Sequence, residues 1–338
     1  MNESKARRAW LKIIYNTKDI SSDITPHLKS FSFNDVMDGE ADDIDITLED
    51  RAELWQGDWL PERGDTLKVS IMTLNWRSLA EGEKELPLGL FEIDEVEISK
   101  PPSEVKIKAV SVPDNTELRG TDKSRRWENT TLGTILQDIA GGAQMELFYD
   151  GDDPSIDRVE QSQQSDLSFL AKLLKDYGLA LKVSDRKLIV FDEHDYEEAA
   201  PVRTIRKSAL AAFSLRASTR EIYRGCHVKY QKSDDDEIIE YTFVPDEEKK
   251  GKMLEVNEEV ESVEAAEKLA RKKLREMNCN EVTVSLHLMG DFDLLAGNTV
   301  MLAGFHSFDG KYIITKGSHD IGAGYNMSVD LRRCLNGY

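Results

Sequence analysis

Period-two alternation of apolar and polar residues, recurring at short intervals, constrains this chain more than any other feature. Leu28-Lys29-Ser30-Phe31-Ser32-Phe33, Ile44-Asp45-Ile46-Thr47-Leu48, Leu67-Lys68-Val69-Ser70-Ile71, Phe91-Glu92-Ile93-Asp94-Glu95-Val96 and Val105-Lys106-Ile107-Lys108-Ala109-Val110 each confine their apolar side chains to one face. Successive side chains of a strand point to opposite faces, so each run reads as a half-buried strand. With the apolar run 9–15 ahead of them, this density over residues 9–118 predicts a barrel or sandwich.

The period changes after Trp127. Leu132, Ile135, Leu136 and Ile139 recur at helical spacing behind Thr130-Thr131, a capping pair, and Gly141-Gly142 ends the run. Ser165 caps a second helix carrying Leu167, Leu170, Ala171 and Leu174 and stopped by Gly178, and a short hairpin follows at 180–183 and 188–191. Strand patterns resume at 213–215, 225–230 and 238–244, then at 281–289, 299–302, 312–315 and 326–331. Between them a helix at about 262–277 directs Val263, Ala266, Leu269, Ala270 and Leu274 inward, with Met277 at its end. The expected fold is mainly β with an α/β insertion, an α+β architecture. Its parts are a first β-barrel-like domain at 1–120, a small helix-containing α/β domain at 121–200, and a second β-barrel-like domain at 201–338.

Across 338 residues, 40% are hydrophobic and 32% charged, which suits globular domains and disfavours disorder or low complexity. No run approaches the roughly 20 apolar residues of a membrane span, and the start MNESKARRAW contains no export-type apolar core, so synthesis and residence in the cytoplasm are expected. The net charge of −20 repels phosphate backbones, which argues against sequence-specific nucleic-acid binding. Cys226, Cys279 and Cys334 are odd in number and widely spaced, which predicts no disulfide framework.

Chemistry-bearing motifs are absent. There is no GxxxxGK[ST], and Gly322-Ala323-Gly324 lacks the third glycine and following helix of a dinucleotide loop. Asp150-Gly151-Asp152-Asp153 opens like a calcium loop, but Ser155 and Gln161 occupy the positions that require Gly and Glu, which leaves a polar loop. His27, His194, His227, His287, His306 and His319 form no HExxH or ligand-spaced pair. His194-Asp195 with Glu197-Glu198 reads as a solvated acidic linker before Pro201, and no GxSxG elbow is present. Acids early (Glu264, Glu267) and bases late (Arg271, Lys272, Lys273, Arg275) in the long helix complement its dipole, with Glu264–Lys268 and Glu267–Arg271 as i,i+4 pairs. No catalytic, cofactor-binding or metal-ligating residue is assigned, no cofactor is expected, and no enzymatic activity is predicted.

Several segments together resemble the phage late control D family, baseplate hub proteins of contractile tails and tail-like particles. The resemblance rests first on Asp19-Ile20, Asp23-Ile24, Ser32-Phe33, the run from Gly39 and Glu40 to Asp50, Trp55, Trp59-Leu60-Pro61 and Gly64-Asp65. It continues through Gln163 to Leu170 and Tyr177-Gly178-Leu179, and ends in Gly290-Asp291-Phe292, Ala296-Gly297-Asn298-Thr299-Val300, Phe308 to Ile314, His319 and Gly324-Tyr325. It implies a homotrimer whose two barrels per subunit form a ring of six, a structural adaptor between the sixfold tail tube and the threefold central spike. Implied partners are the tail tube protein, the central spike protein, other baseplate proteins and the tape measure protein, in a virion or tail-like particle assembled in the bacterial cytoplasm. The two barrels and the insertion are expected to use the whole chain, leaving no appended lysozyme-like segment. The competing reading is a tail-associated cell-wall-degrading or carbohydrate-binding protein; aromatics at 8%, dispersed along the chain, argue against it. Acidic side chains are expected to line the channel of such a ring.

Overall fold

A computed structural model describes residues 6–39, 41–62, 64–111, 118–231 and 238–338; Glu40 and part of the 1–120 segment therefore lie outside the described residues. The chain is mostly β, with 50% strand and 19% helix. It divides into two compact units, one of Met1–Asp195, His287–Gly297 and Thr315–Val329, the other of Tyr196–Leu286, Asn298–Ile314 and Asp330–Tyr338.

The first unit is built on an antiparallel sheet. From the second half of Gly310–Ile321 its order runs Leu28–Val36, Asp43–Glu49, Glu104–Val110, Glu83–Ser99, Thr66–Leu74, Arg8–Tyr15 and Lys18–Asp19. The alternation seen in the sequence becomes alternating burial: Ile44, Ile46 and Leu48 are buried while the residues between them are not. These side chains share one core with Ile13, Phe31, Phe33, Val69, Ile71, Phe91, Val105 and Ile107. Burying each such side chain contributes about 1.5–3 kcal/mol, which makes this face the main determinant of register. The mainly β fold class expected from the alternation is present, and among the described residues no pairing joins Lys18–Asp19 to the other end of the sheet, so the barrel-like layer is open.

The insertion has its own core. Thr131 caps Leu132–Gly142 by accepting from Thr134 N at 3.3 Å, and Ser165 caps Asp166–Tyr177 by accepting from Ser168 N at 3.3 Å. Gly178 ends the second helix at φ +72°, a left-handed conformation that glycine adopts without steric cost. The helices bury Leu132, Ile135, Leu136, Leu170 and Leu174 against Leu181, Val183, Leu188 and Val190 of the hairpin Leu179–Ser184 and Lys187–Asp192. Glu146–Asp150 adds a parallel third strand. A ribbon of Lys123–Thr131 and Ser155–Gln164, absent from the sequence expectations, completes the insertion. The loop after Leu28–Val36 joins it to the main sheet: Asp38 accepts from Leu181 N at 2.8 Å, and Gly39 N donates to Leu181 O at 3.0 Å.

In the second unit the helix Val263–Asn278, capped by Ser262, lies on a three-stranded sheet ordered Ile238–Phe243, Tyr223–Gln231, Lys252–Val256. Ala266, Ala270 and Leu274 pack on Cys226, Val228, Ile239 and Phe243. Leu269 is only partly buried, and Val263 is 50% exposed. The inward stripe is thus narrower than expected, because Leu269 stands at its flank and Val263, at the first helical position, precedes the turn where packing begins. Small residues at 266 and 270 let the helix pack closely on the sheet, and within the sheet a Cβ at Gly225 would lie 2.6 Å from Phe243 O on the neighbouring strand. Asn278 closes the helix end, accepting from Tyr223 N at 2.9 Å and donating to Tyr223 O at 2.7 Å.

Candidate functional site

In the first unit, segments far apart in sequence meet in a buried aromatic node. Trp76 Nε1 donates to Gly290 O at 2.7 Å, and its ring lies 5.3 Å from that of Tyr325. Gly290 has no alternative residue at this contact, since a Cβ would overlap the Tyr325 ring. The Tyr325 hydroxyl sits 2.6 Å from His319 Nδ1, and Phe33 and Phe292 border the pair. Arg77 pairs with Asp291 and, at 3.0 Å, with Asp293. Burial lowers the His319 pKa to about 4 and raises that of Tyr325 well above the usual phenol range. Near neutral pH the two groups are therefore an uncharged imidazole and an uncharged phenol held in packed surroundings. The geometry suits structural fixation and offers no poised base or nucleophile. The resemblance residues Gly290-Asp291-Phe292, His319 and Gly324-Tyr325 thus converge on one place; their proximity had no local signal in the sequence.

Buried ion pairs form a second group of fixed points. Lys182 of the insertion pairs with Asp35 and lies 3.6 Å from Asp42, and Asp35 also accepts from Ala296 N at 2.7 Å. Burial is the main cause that raises the Asp42 pKa to about 6, opposed by Lys182 and reinforced by Asp35. In the second unit Glu197 is 2% exposed, pairs with Arg332, lies 2.7 Å from Arg275, and accepts from Leu335 N at 3.0 Å. This corrects the reading of 194–198 as a solvated linker: Glu197 is an interior anion whose cations come from distant parts of the chain. Asp153 of the polar loop accepts from Gly133 N at 2.7 Å, beside the positive end of a helix.

Cys226 and Cys334 are buried free thiols whose pKa burial raises to about 11, and Cys279 is also free. Among the described residues no group of three or more His, Cys, Asp and Glu is arranged to hold a metal ion. On the outer face of the three-stranded sheet, His227 sits between two carboxylates, with Nδ1 2.7 Å from Glu255 and Nε2 2.8 Å from Glu240. Hydrogen bonds to Glu255 and then Glu240 raise its pKa above the ordinary value. Of the i,i+4 pairs expected on the long helix, Glu267–Arg271 is present at 2.9 Å, and the Arg271 guanidinium also stacks 4.2 Å over Phe243.

A cavity of about 330 Å³ opens at one end of the main core, walled by Ile13, Ile24, Ile46, Trp55, Leu67 and Ile107. Trp59 and Leu60, 38% and 48% exposed, stand at its mouth. Trp55, Trp59 and His27 meet edge to face at centroid distances of 5.1, 5.2 and 5.9 Å.

The family model of the phage tail baseplate hub (GPD) matches residues 108–325. The chain belongs to this family. The probable baseplate hub protein of Escherichia phage P2 is 32% identical over 235 residues, which are 66% of this chain and 56% of that protein. The chain therefore spans little more than half the length of that hub relative. Among solved structures, the 43 kDa tail protein of prophage MuSo2 from Shewanella oneidensis matches with a TM-score of 0.72 at 14% identity, covering 96% of this chain and 98% of that one. A type VI secretion system component of E. coli, itself structurally similar to bacteriophage T4 tail proteins, matches with a TM-score of 0.54 at 12% identity, covering 92% of this chain and 75% of that one. Both likenesses concern the fold.

Proposed function

We propose that this chain is a structural baseplate hub that acts as a trimeric adaptor between a sixfold tail tube and a threefold central spike. The family match over residues 108–325 carries the reading. Two strand-rich units per chain support it, because three copies would present six such units to the tube while keeping threefold symmetry for the spike. The site chemistry agrees, since the Tyr325–His319 and Trp76–Gly290 hydrogen bonds and the ion pairs of Glu197 and Asp35 tie distant segments together and serve rigidity. On this reading the protein is not an enzyme, is assembled in the host cytoplasm and resides in the tail baseplate. It contacts the tube, spike, other baseplate and tape measure proteins. The net charge of −20 per chain favours an acid-lined channel, to which passing DNA would not adhere.

Cryo-electron microscopy of the purified particle tests the assembly directly. Three copies between tube and spike are expected; a peripheral position, another copy number or a channel lined by basic side chains would overturn it. Incubation with purified peptidoglycan is expected to release no reducing ends or amines, and dose-dependent release abolished by one Asp or Glu substitution would establish an enzyme instead.

A further inference from the structure

The cavity beneath Trp59 combines three properties that together select a ligand. Its walls are aliphatic and aromatic, so it gains free energy by excluding water from an apolar group. Its mouth bears the exposed carboxylates of Asp23 and Asp58; among the described lining residues Lys18 is the one base, and neither acid has an ion-pair partner among the described residues. Indole faces beside it attract cations, as a ring quadrupole does wherever the cation is partly desolvated. An interior of this size, open to solvent and rimmed by a half-exposed tryptophan, is a concave site for one side chain and not a surface irregularity.

From these features we infer that the pocket is a docking site for a partner protein segment in which an apolar side chain is flanked by Arg or Lys. The apolar side chain fills the cavity against Trp55 and Ile107, and the flanking cation lies between the Asp23 and Asp58 carboxylates and the Trp59 ring. The inference rests on the hub reading only for the expectation that partner chains exist, and the assay below reads the pocket alone, whereas particle imaging tests the hub assignment.

The full chain, labelled with 15N at its tryptophans, is titrated with the peptide acetyl-Arg-Leu-Arg-amide and, separately, with acetyl-Glu-Leu-Glu-amide while the indole Nε1–H signals are followed. The basic peptide is expected to move the Trp55 and Trp59 signals saturably, with millimolar affinity, and to bind at least about threefold more tightly than the acidic one, the scale of two exposed ion pairs. Asp23→Asn with Asp58→Asn should abolish that preference while leaving the fold intact, because both acids are exposed. Trp59→Ala and, independently, the exposed Leu60→Ser should weaken both peptides. Absence of saturation up to about 10 mM, a far weaker contact than any docking site, overturns the inference. So does equal binding of the two peptides. If light scattering instead shows self-association that Leu60→Ser abolishes, the occupant is a second copy of this chain and the partner-segment assignment is wrong.

Discussion

His319 lies fully buried beside Tyr325, with burial holding its pKa near 4, whereas His227 spans three strands at the surface with a glutamate on each ring nitrogen and a raised pKa. One side chain thus serves two opposite electrostatic ends. The first histidine is kept neutral because burial outweighs the pull of Asp35 and Asp291; hydrogen bonds to Glu255 and Glu240 favour the protonated form of the second. Stability in the two regions should consequently respond to acid in opposite directions, and this contrast can be broken or sharpened by experiment.

The largest effect is expected from Gly290→Val, which forces a branched side chain into the Tyr325 ring and should destabilise the first unit by about 3 kcal/mol or more, read as a lowered urea midpoint. Gly141→Ala is its control: nothing lies within 4 Å of the new methyl, and a small stabilisation of about 0.5–1 kcal/mol is expected. Next comes the pH response of the node. Below pH 6.5 the unfolded chain protonates this histidine and the folded chain refuses the proton down to about pH 4, so stability falls across that window. The His319 contribution is on the order of 3 kcal/mol, from a difference of about two and a half pKa units. Asp42, with its pKa raised to about 6, works the other way over the same range, because the folded state takes up its proton first. Urea titrations of wild type and His319→Phe from pH 7 to pH 4 should show a smaller acid loss in the variant; an identical slope would remove His319 from the account.

Tyr325→Phe should cost about 1–2 kcal/mol by leaving the His319 Nδ1 without its hydroxyl partner, measured as a shift in Tm at neutral pH. The smallest effect belongs to His227→Gln. Its raised pKa gives a contribution present in full below pH 6.5 and lost as pH rises through the folded value. Because Glu240 and Glu255 are more than half exposed, that contribution should stay under about 1 kcal/mol, visible as a flatter alkaline limb of the stability curve and screened by salt.

The two histidines also mark how far the sequence could be read. Strands with one apolar face, such as Asp43–Glu49, announce themselves by alternation, and the helices announce themselves by caps at Thr131 and Ser165 or, for Val263–Asn278, by apolar residues at helical spacing. The ribbon Lys123–Thr131 and Ser155–Gln164 does not, because it is polar along most of its length and its pairing is the only signal. Glu197 looked solvated because its neighbours are acidic and its partner Arg332 lies 135 residues away. The node followed the same logic: the family resemblance pointed to Gly290, His319 and Tyr325 singly, while the overlap that forbids a side chain at Gly290 exists only in three dimensions.

The two thiols sealed in the second unit have a consequence for durability in air. With a pKa of about 11, each of Cys226 and Cys334 is ionised in roughly one molecule in ten thousand at pH 7, and only the thiolate reacts readily with oxidants or exchanges with disulfides. Both sulfurs are packed away as well. In oxygenated medium the folded chain should keep these two side chains chemically unchanged without a reductant.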